Sequence, residues 1–394
     1  QDLYKGFALI IDEKIFTDDG KDKIKSIIEI IEQKGIPCSK FDIIPNEEII
    51  KHLRSVNFII LDWMILPVGF NQETTPGEQL TKQIENDNIE FLNKIKQSVL
   101  CPVFIFTNEP IEGIKDLLSE NGLYFDEDKK NFIFIKNKSE LTENGNLFKE
   151  IENWIKNNSA LYTLKKWENS FATAKNDTFL HLFKISYAWP KVLWETYSFD
   201  EIDESSNIND IIFKNIKSRT STINFDETIM KEGGDISIEE IKSVIVGASF
   251  INISGQYDVQ PGDIYKVRDN YFINIRPACD TVMNRAGCDK KIYLLKGDKL
   301  SSGQVKDRYN KKYKLLLDRS NESIVYGVDG KNFVSFSLKE IIVKDYEEMK
   351  DKRIQRLLPP YSSHIQQVVS SYMGRHGLPR LPFAIHEDVV DPQT

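Results

Sequence analysis

Apolar and polar positions in the first 157 residues form two alternating patterns. Short, continuous apolar runs are typical of strands buried on both faces of a parallel sheet. Between them, apolar residues recur every three or four positions, as on one face of a helix; the clearest such segment is Lys21–Lys34. The runs that predict strands are Phe7–Ile11, Phe41–Ile44, Phe58–Leu61, Val103–Phe106 and Phe132–Ile135. Five strands alternating with five helices predict an α/β fold with a doubly wound, five-stranded parallel sheet.

The pattern changes in the rest of the chain. Residues 158–247 have mostly helical periodicity and predict a helical region. Residues 248–345 contain short β-type runs and the turn signals Asp269–Asn270 and Asp329–Gly330, which predict a small β-barrel-like or sandwich domain. Residues 346–394 are locally basic and predict a helical C-terminal tail.

Polar residues follow four of the five predicted strands. Asp12 and Glu13 follow the first, Asp62 the third, Thr107 the fourth and Lys136 the fifth. The carboxyl ends of parallel strands meet at one edge of a sheet, where the chemistry of such folds takes place. Three carboxylates at that edge would repel each other and require a cation, and oxygen ligands suit Mg²⁺. A carboxylate beside Mg²⁺ can accept a phosphoryl group, whose oxygens a hydroxyl and an ammonium group could hold.

Four segments resemble, in order and spacing, the CheY-like receiver domain of two-component response regulators. They are ALIIDEK at 8–14, FIILDWM at 58–64, CPVFIFTN at 101–108 and FIFIKN at 132–137. The resemblance covers residues 1–157 and implies that Asp62 accepts the phosphoryl group. It implies that Thr107 is the switch hydroxyl and that Lys136 contacts both Asp62 and the phosphoryl group. The implied Mg²⁺ ligands are Asp12, Glu13, Asp62 and the main-chain carbonyl of Met64.

Three positions depart from the pattern of that family. Asn137 stands where proline usually follows the lysine, Ile133 stands where the aromatic switch residue is usual, and Asn108 stands where a small residue is usual. The departure at Ile133 weakens the expected coupling between the threonine and an aromatic side chain.

The resemblance also implies partners for the chain. A histidine kinase or phosphotransfer protein would donate the phosphoryl group, and the chain would signal, or buffer phosphoryl groups, through contacts with an effector protein or within a homodimer. Receivers fused to other modules occur beside histidine kinases in bacterial anti-phage systems, and the chain is similar to such proteins. We expect no enzymatic activity beyond slow self-dephosphorylation.

Composition limits the classes of partner. The formal net charge is −8, which argues against bulk nucleic acid or an anionic membrane as the main partner, although a local basic patch could still bind either. The apolar runs are too short for a membrane span. The four cysteines are few and scattered, which is typical of a reducing cytoplasm.

Two other functions are compatible with the sequence. The receiver could be a scaffold that is never phosphorylated. Alternatively, residues 248–345 could form an effector enzyme with a site around Asp263, Arg276 and Asp280. The basic tail could dock on the acidic receiver, bind a partner or touch nucleic acid.

Overall fold

The structure, a computed structural model, describes most of the chain in two units. The described residues are 6–16, 23–67, 70, 76–125, 131–142, 147–199, 204–225, 227, 230, 236–253, 258–281, 289–310, 315–316 and 320–375. One unit comprises residues 1–187 and 212–234, and the other comprises residues 188–211 and 235–394.

The first unit contains a five-stranded parallel sheet in the order β2-β1-β3-β4-β5. Its strands are β1 (Phe7–Ile11), β2 (Cys38–Phe41), β3 (Val56–Leu61), β4 (Val103–Thr107) and β5 (Ile133–Asn137). The predicted α/β class and five parallel strands are therefore confirmed. The predicted bounds of the second strand are wrong, because β2 ends at the residue where the prediction began. As an edge strand, β2 is only half-buried and its residues do not form a continuous apolar run.

Helices cover both faces of this sheet. They are α1 (Lys23–Gln33), α2 (Glu47–Ile50), α3 (Glu78–Ser98), α4 (Ile111–Glu120), α5 (Lys138–Thr142) and α6 (Leu147–Asn157). The consecutive residues Ile10 and Ile11 are both fully buried, one in the core formed with α1 and α6 and the other in the core formed with α2, α3 and α4. Burying one such side chain contributes roughly 1.5–3 kcal/mol, which explains the continuous apolar runs within β1, β3 and β4.

The predicted helical region is present and contributes to both units. It contains α7 (Ser159–Ile185), α8 (Trp189–Phe199), α9 (Glu204–Arg219) and α10 (Ile238–Ser249). The side chain of Asn158 caps α7 by accepting from the backbone N–H of Leu161, and it donates to the carbonyl oxygen of Asn131. Leu161 and Tyr162 are buried in the same core as α1 and α6, so the start of α7 is anchored to the sheet layer.

The second unit contains a curled antiparallel sheet in the order β12-β13-β9-β8-β7-β14-β6. Its strands are β6 (Phe250–Asn252), β7 (Asp263–Val267), β8 (Asn270–Asn274), β9 (Lys291–Lys299), β12 (Glu322–Val328), β13 (Asn332–Asp345) and β14 (Arg353–Leu357), with a separate hairpin of β10 (Tyr309–Asn310) and β11 (Leu315–Leu316). Asp329 and Gly330 both have positive φ, +52° and +84°, as the predicted tight turn requires. One of the short β-type runs that predict this domain, Tyr313–Leu317, lies mostly outside the described residues.

The predicted C-terminal tail contributes directly to this sheet. After α11 (Ser302–Arg308) and α12 (Tyr346–Met349), β14 pairs with β7 and β6, and α13 (Tyr361–Met373) follows. The prediction of a helical tail is therefore wrong for Arg353–Leu357, whereas α13 agrees with it. Residues 376–394 lie outside the described part of the chain. None of the described helices has the combination of length and apolar character needed to cross a membrane.

Candidate functional site

Two aspartates lie at the carboxyl edge of the parallel sheet, as predicted. Asp12 directly follows β1 and Asp62 directly follows β3; they are 1% and 8% exposed. The backbone N–H of Asp62 donates to the carbonyl oxygen of Ile11 at 2.9 Å. This bond continues the pairing of β1 and β3 to the site and holds the two acidic residues side by side.

A buried lysine bridges the two aspartates. The ammonium group of Lys138 lies 2.7 Å from a carboxylate oxygen of Asp12 and 2.7 Å from one of Asp62. Lys138 is the first residue of α5 and is only 4% exposed. Charge-assisted hydrogen bonds of this length are among the stronger interactions in proteins.

The prediction that Lys136 contacts Asp62 is wrong. The Lys136 ammonium group lies 3.2 Å from a carboxylate oxygen of Glu140 and 3.5 Å from one of Glu150. The apolar run suggested that the strand stops before Lys136, whereas β5 continues to Asn137. There the Asn137 side chain accepts from the backbone N–H of Ser139 and turns the chain into α5. That turn places Lys138 at the sheet edge.

Three carboxylates converge on this edge. Oxygens of Asp12, Glu13 and Asp62 lie within 4.8 Å of one another. Burial, reinforced by the charge of Asp12, raises the pKa of Asp62 to about 6 against the opposing effect of Lys138. Burial, together with the charges of Asp62 and Asp12, raises the pKa of Glu13 to about 7. Burial lowers the pKa of Lys138, but the negative charges of Asp62 and Asp12 together have the larger effect, so the pKa is raised above its usual value.

The residues present fit a divalent cation. With all groups ionised, the three carboxylates and Lys138 leave two negative charges. A buried carboxylate oxygen of Glu13, Oε2, has no hydrogen-bond partner among the described residues, and such an orphaned acceptor is costly unless a ligand satisfies it. Hard oxygen donors of this kind suit Mg²⁺. Asp12, Glu13 and Asp62 would hold the ion.

Met64 and Thr107 occupy the predicted neighbourhood. The backbone N–H of Met64 donates to the Asp62 carboxylate, whereas its carbonyl as a metal ligand stays a prediction. Thr107 is fully buried at the end of β4, and its hydroxyl oxygen accepts from the backbone N–H of Glu109 at 3.0 Å. A hydroxyl that accepts one bond can still donate its proton, so contact with a phosphoryl oxygen stays a prediction.

Asn88 of α3 also supports the site, and the sequence reasoning missed it. Its side-chain amide donates to the carbonyl oxygen of Trp63 at 2.7 Å, and it is fully buried. The bond restrains the peptide unit between Trp63 and Met64, one residue after Asp62. The available signal was a polar residue on the apolar face of a helix, since Asn88 lies four residues after Ile84 and three before Phe91.

Two of the three polar residues singled out in the β-rich region, Asp263 and Arg276, have structural partners in the same unit. Asp263 is fully buried and pairs with Arg353 at 3.0 Å and Arg356 at 2.5 Å. The guanidinium group of Arg276 donates to the carbonyl oxygens of Asp289 and Lys291. Two arginines of the predicted basic tail, Arg353 and Arg356, therefore neutralise a buried carboxylate of their own unit.

Comparison with known proteins gives no family assignment. No family model matches the chain, and no curated protein matches it. Support for a function therefore comes from the geometry of the site.

Proposed function

We propose that the first unit is a receiver domain that accepts a phosphoryl group on Asp62, in a Mg²⁺-dependent reaction, from a histidine kinase or phosphotransfer protein. The observation that supports this most is the Lys138 ammonium group between the carboxylates of Asp12 and Asp62. An acidic cluster without a lysine could be explained as a metal-binding site alone. A buried lysine on the acceptor carboxylate also provides a positive charge for an incoming phosphoryl oxygen.

Asp62 and Lys138 have distinct parts in this reaction. An ionised Asp62 oxygen attacks the phosphorus, and the bond from phosphorus to the donor breaks. During the transfer, the Lys138 ammonium group can exchange its contact with the Asp62 carboxylate for a contact with a phosphoryl oxygen. When bound, Mg²⁺ would shield the negative charges that the carboxylates and the phosphoryl group bring together. With a pKa of about 6, Asp62 is largely ionised at neutral pH.

The chain is proposed to transmit its signal by contact with another protein. Three large apolar side chains of α7 are about half exposed: Leu164, Trp167 and Phe171. Such side chains, close together on one helix, are typical of interaction surfaces, which supports an effector protein or a second copy of the chain as the partner. A role in an anti-phage system and a cytoplasmic location stay predictions.

The test is labelling of the full chain with radioactive acetyl phosphate. We expect label that depends on Mg²⁺, disappears in Asp62→Asn and persists in Asp87→Asn, which changes an exposed aspartate of α3. Label that persists in Asp62→Asn would contradict the proposal. A well-folded parent chain that takes no label from acetyl phosphate or from a histidine kinase would favour the unphosphorylated scaffold instead.

A further inference from the structure

A cleft in the second unit combines lysines with a pair of aromatic rings. It lies between α10, the segment from Lys299 to Lys306 and the hairpin of β12 and β13, and its volume is about 970 Å³. This size is at the upper end of the range of small-molecule sites. Nothing in the proposed receiver function requires it.

The lining of this cleft is strongly positive. It contains one carboxylate, Glu239, and four lysines, Lys242, Lys299, Lys306 and Lys331, which leaves a formal charge of +3 in a chain whose net charge is −8. Glu239 is already paired with Lys242 at 2.7 Å. Within the part of the chain that the structure describes, the other three ammonium groups have no carboxylate within 4.0 Å. Like charges gathered in one cleft repel each other and attract an anion.

The aromatic rings give the cleft a second kind of binding surface. Tyr326 and Phe333 lie directly opposite each other on β12 and β13, with ring centroids 4.6 Å apart. Both rings line the cleft and remain partly exposed. Leu300 and Val305 add apolar wall beside them. Planar bases stack on rings of this kind, and lysines hold the phosphates that accompany the bases.

We propose that this cleft binds nucleotides, with phosphates on Lys299, Lys306 and Lys331 and a base on the ring of Tyr326 or Phe333. Lysines alone would accept any anion, including an acidic peptide. The adjoining rings favour a ligand that joins phosphate to a planar base. The negative net charge of the chain does not oppose this binding, because charges more than about 8 Å away are largely screened at physiological ionic strength. The nucleotide is either free or part of a single strand.

Binding is measured on the full chain by fluorescence anisotropy of a labelled oligodeoxythymidylate of about 12 nucleotides. Three phosphate contacts predict that the logarithm of the affinity falls against the logarithm of salt concentration with a slope of about −2. Lys306→Glu combined with Lys331→Glu should weaken binding at least about tenfold at low salt. The matched control is Lys339→Glu combined with Lys344→Glu, which reverses two exposed lysines of β13 outside the cleft and should change the affinity much less.

The contribution of the rings and the source of the ligand are tested separately. Phe333→Leu combined with Tyr326→Leu should lower the affinity for the oligonucleotide. The affinity for tripolyphosphate, which is weaker and is measured by competition, should not change. If ATP, in the absence of Mg²⁺, competes as well per molecule as unlabelled oligonucleotide, the ligand is a free nucleotide; if the oligonucleotide competes far better, it is a single strand. The proposal is overturned if neither ligand binds, if the control lysines matter as much as those of the cleft, or if tripolyphosphate competes as well as the tighter-binding of ATP and the oligonucleotide.

Discussion

Lys138 and Asp62 form a buried ion pair with a separation of 2.7 Å, although 76 residues separate them in the chain. Asp62 directly follows β3, whereas Lys138 begins α5. The same ammonium group also binds Asp12. The positive charge of Lys138 thus serves two buried carboxylates, and the carboxylate of Glu13 lies beside them.

Removing that cation should weaken both the fold and the chemistry. Lys138→Met leaves the carboxylates of Asp12 and Asp62 buried without their shared cation, and breaking a buried ion pair in this way costs roughly 3–5 kcal/mol. We expect the free energy of unfolding in urea to fall by about this amount in the absence of Mg²⁺, and labelling by acetyl phosphate to be lost.

Lys136→Met is the matched control for this variant. The Lys136 ion pairs with Glu140 and Glu150 are partly exposed, so losing them should cost at most about 1 kcal/mol. Labelling should remain. If Lys136→Met abolished labelling and Lys138→Met did not, the assignment of the site lysine would be wrong.

The effect of Mg²⁺ on stability should grow with pH. Asp62 and Glu13 have pKa values of about 6 and 7 in the folded chain, raised from 3.8 and 4.5. An acid whose pKa is higher in the folded state binds more protons there than in the unfolded state. The free energy of unfolding without metal should therefore fall as pH rises from about 4 to about 7.

Protons and Mg²⁺ compete for these carboxylates, so the stabilisation by Mg²⁺ can be measured as a function of pH. The shift in melting temperature on adding Mg²⁺ should be small near pH 5 and large near pH 8, above both raised pKa values. Glu13→Gln should reduce the shift near pH 8, whereas Glu112→Gln, an exposed substitution in α4, should not. A shift that does not vary with pH in the parent chain would show that Mg²⁺ binds elsewhere.

The sequence predicts the parallel sheet and its acidic edge because both depend on local pattern. The strands β1, β3 and β4 are buried on both faces, so their apolar runs end where the polar residues of the site begin. Asp12, Asp62 and Thr107 could therefore be placed from the sequence alone.

The lysine could not be placed in the same way. β5 is only partly buried and carries Lys136 within the strand, so the end of the apolar run does not coincide with the end of the strand. Similarly, Arg353 and Arg356 look like part of a basic tail in the sequence, and only the pairing of β14 with β7 brings them to Asp263. Pairing between strands that are far apart in the chain cannot be predicted from the local pattern of apolar and polar residues.

Asp263 should matter for stability. Asp263→Ala would leave Arg353 and Arg356 without their shared carboxylate in a buried setting, and we expect a loss of roughly 3–5 kcal/mol in the free energy of unfolding of the second unit. Asp298→Ala, which removes an exposed carboxylate 3.7 Å from Lys296, should cost at most about 1 kcal/mol. Urea denaturation followed by circular dichroism measures both. An Asp263→Ala chain as stable as the parent would reopen the possibility of a functional site there.

The phosphoryl group on Asp62 should be lost slowly. Hydrolysis needs a water molecule in line with the phosphorus, opposite the Asp62 oxygen that leaves. By the resemblance to receivers, Met64 and Asn108 border that approach, and Met64 cannot orient water by hydrogen bonding because its side chain is apolar. Asn108 is larger than the usual small residue and should narrow access. Glu109 is the opposing influence, since a carboxylate could orient the water.

We weigh Met64 and Asn108 above Glu109 and therefore predict slow hydrolysis. The backbone of Glu109 is held by the hydroxyl oxygen of Thr107 at 3.0 Å, which fixes the start of its loop. Losing about 1.4 kcal/mol of transition-state stabilisation slows a step tenfold, so even a modest effect is measurable. We therefore expect the purified, labelled chain to lose its label at least about tenfold more slowly than a chemotaxis-type receiver measured alongside. Met64→Asn and Asn108→Ala should each speed the loss, and Asn121→Ala, at the end of α4, should not. If the parent chain loses its label as fast as the reference receiver, or if neither substitution speeds the loss, Met64 and Asn108 do not control access of water to the phosphoryl group.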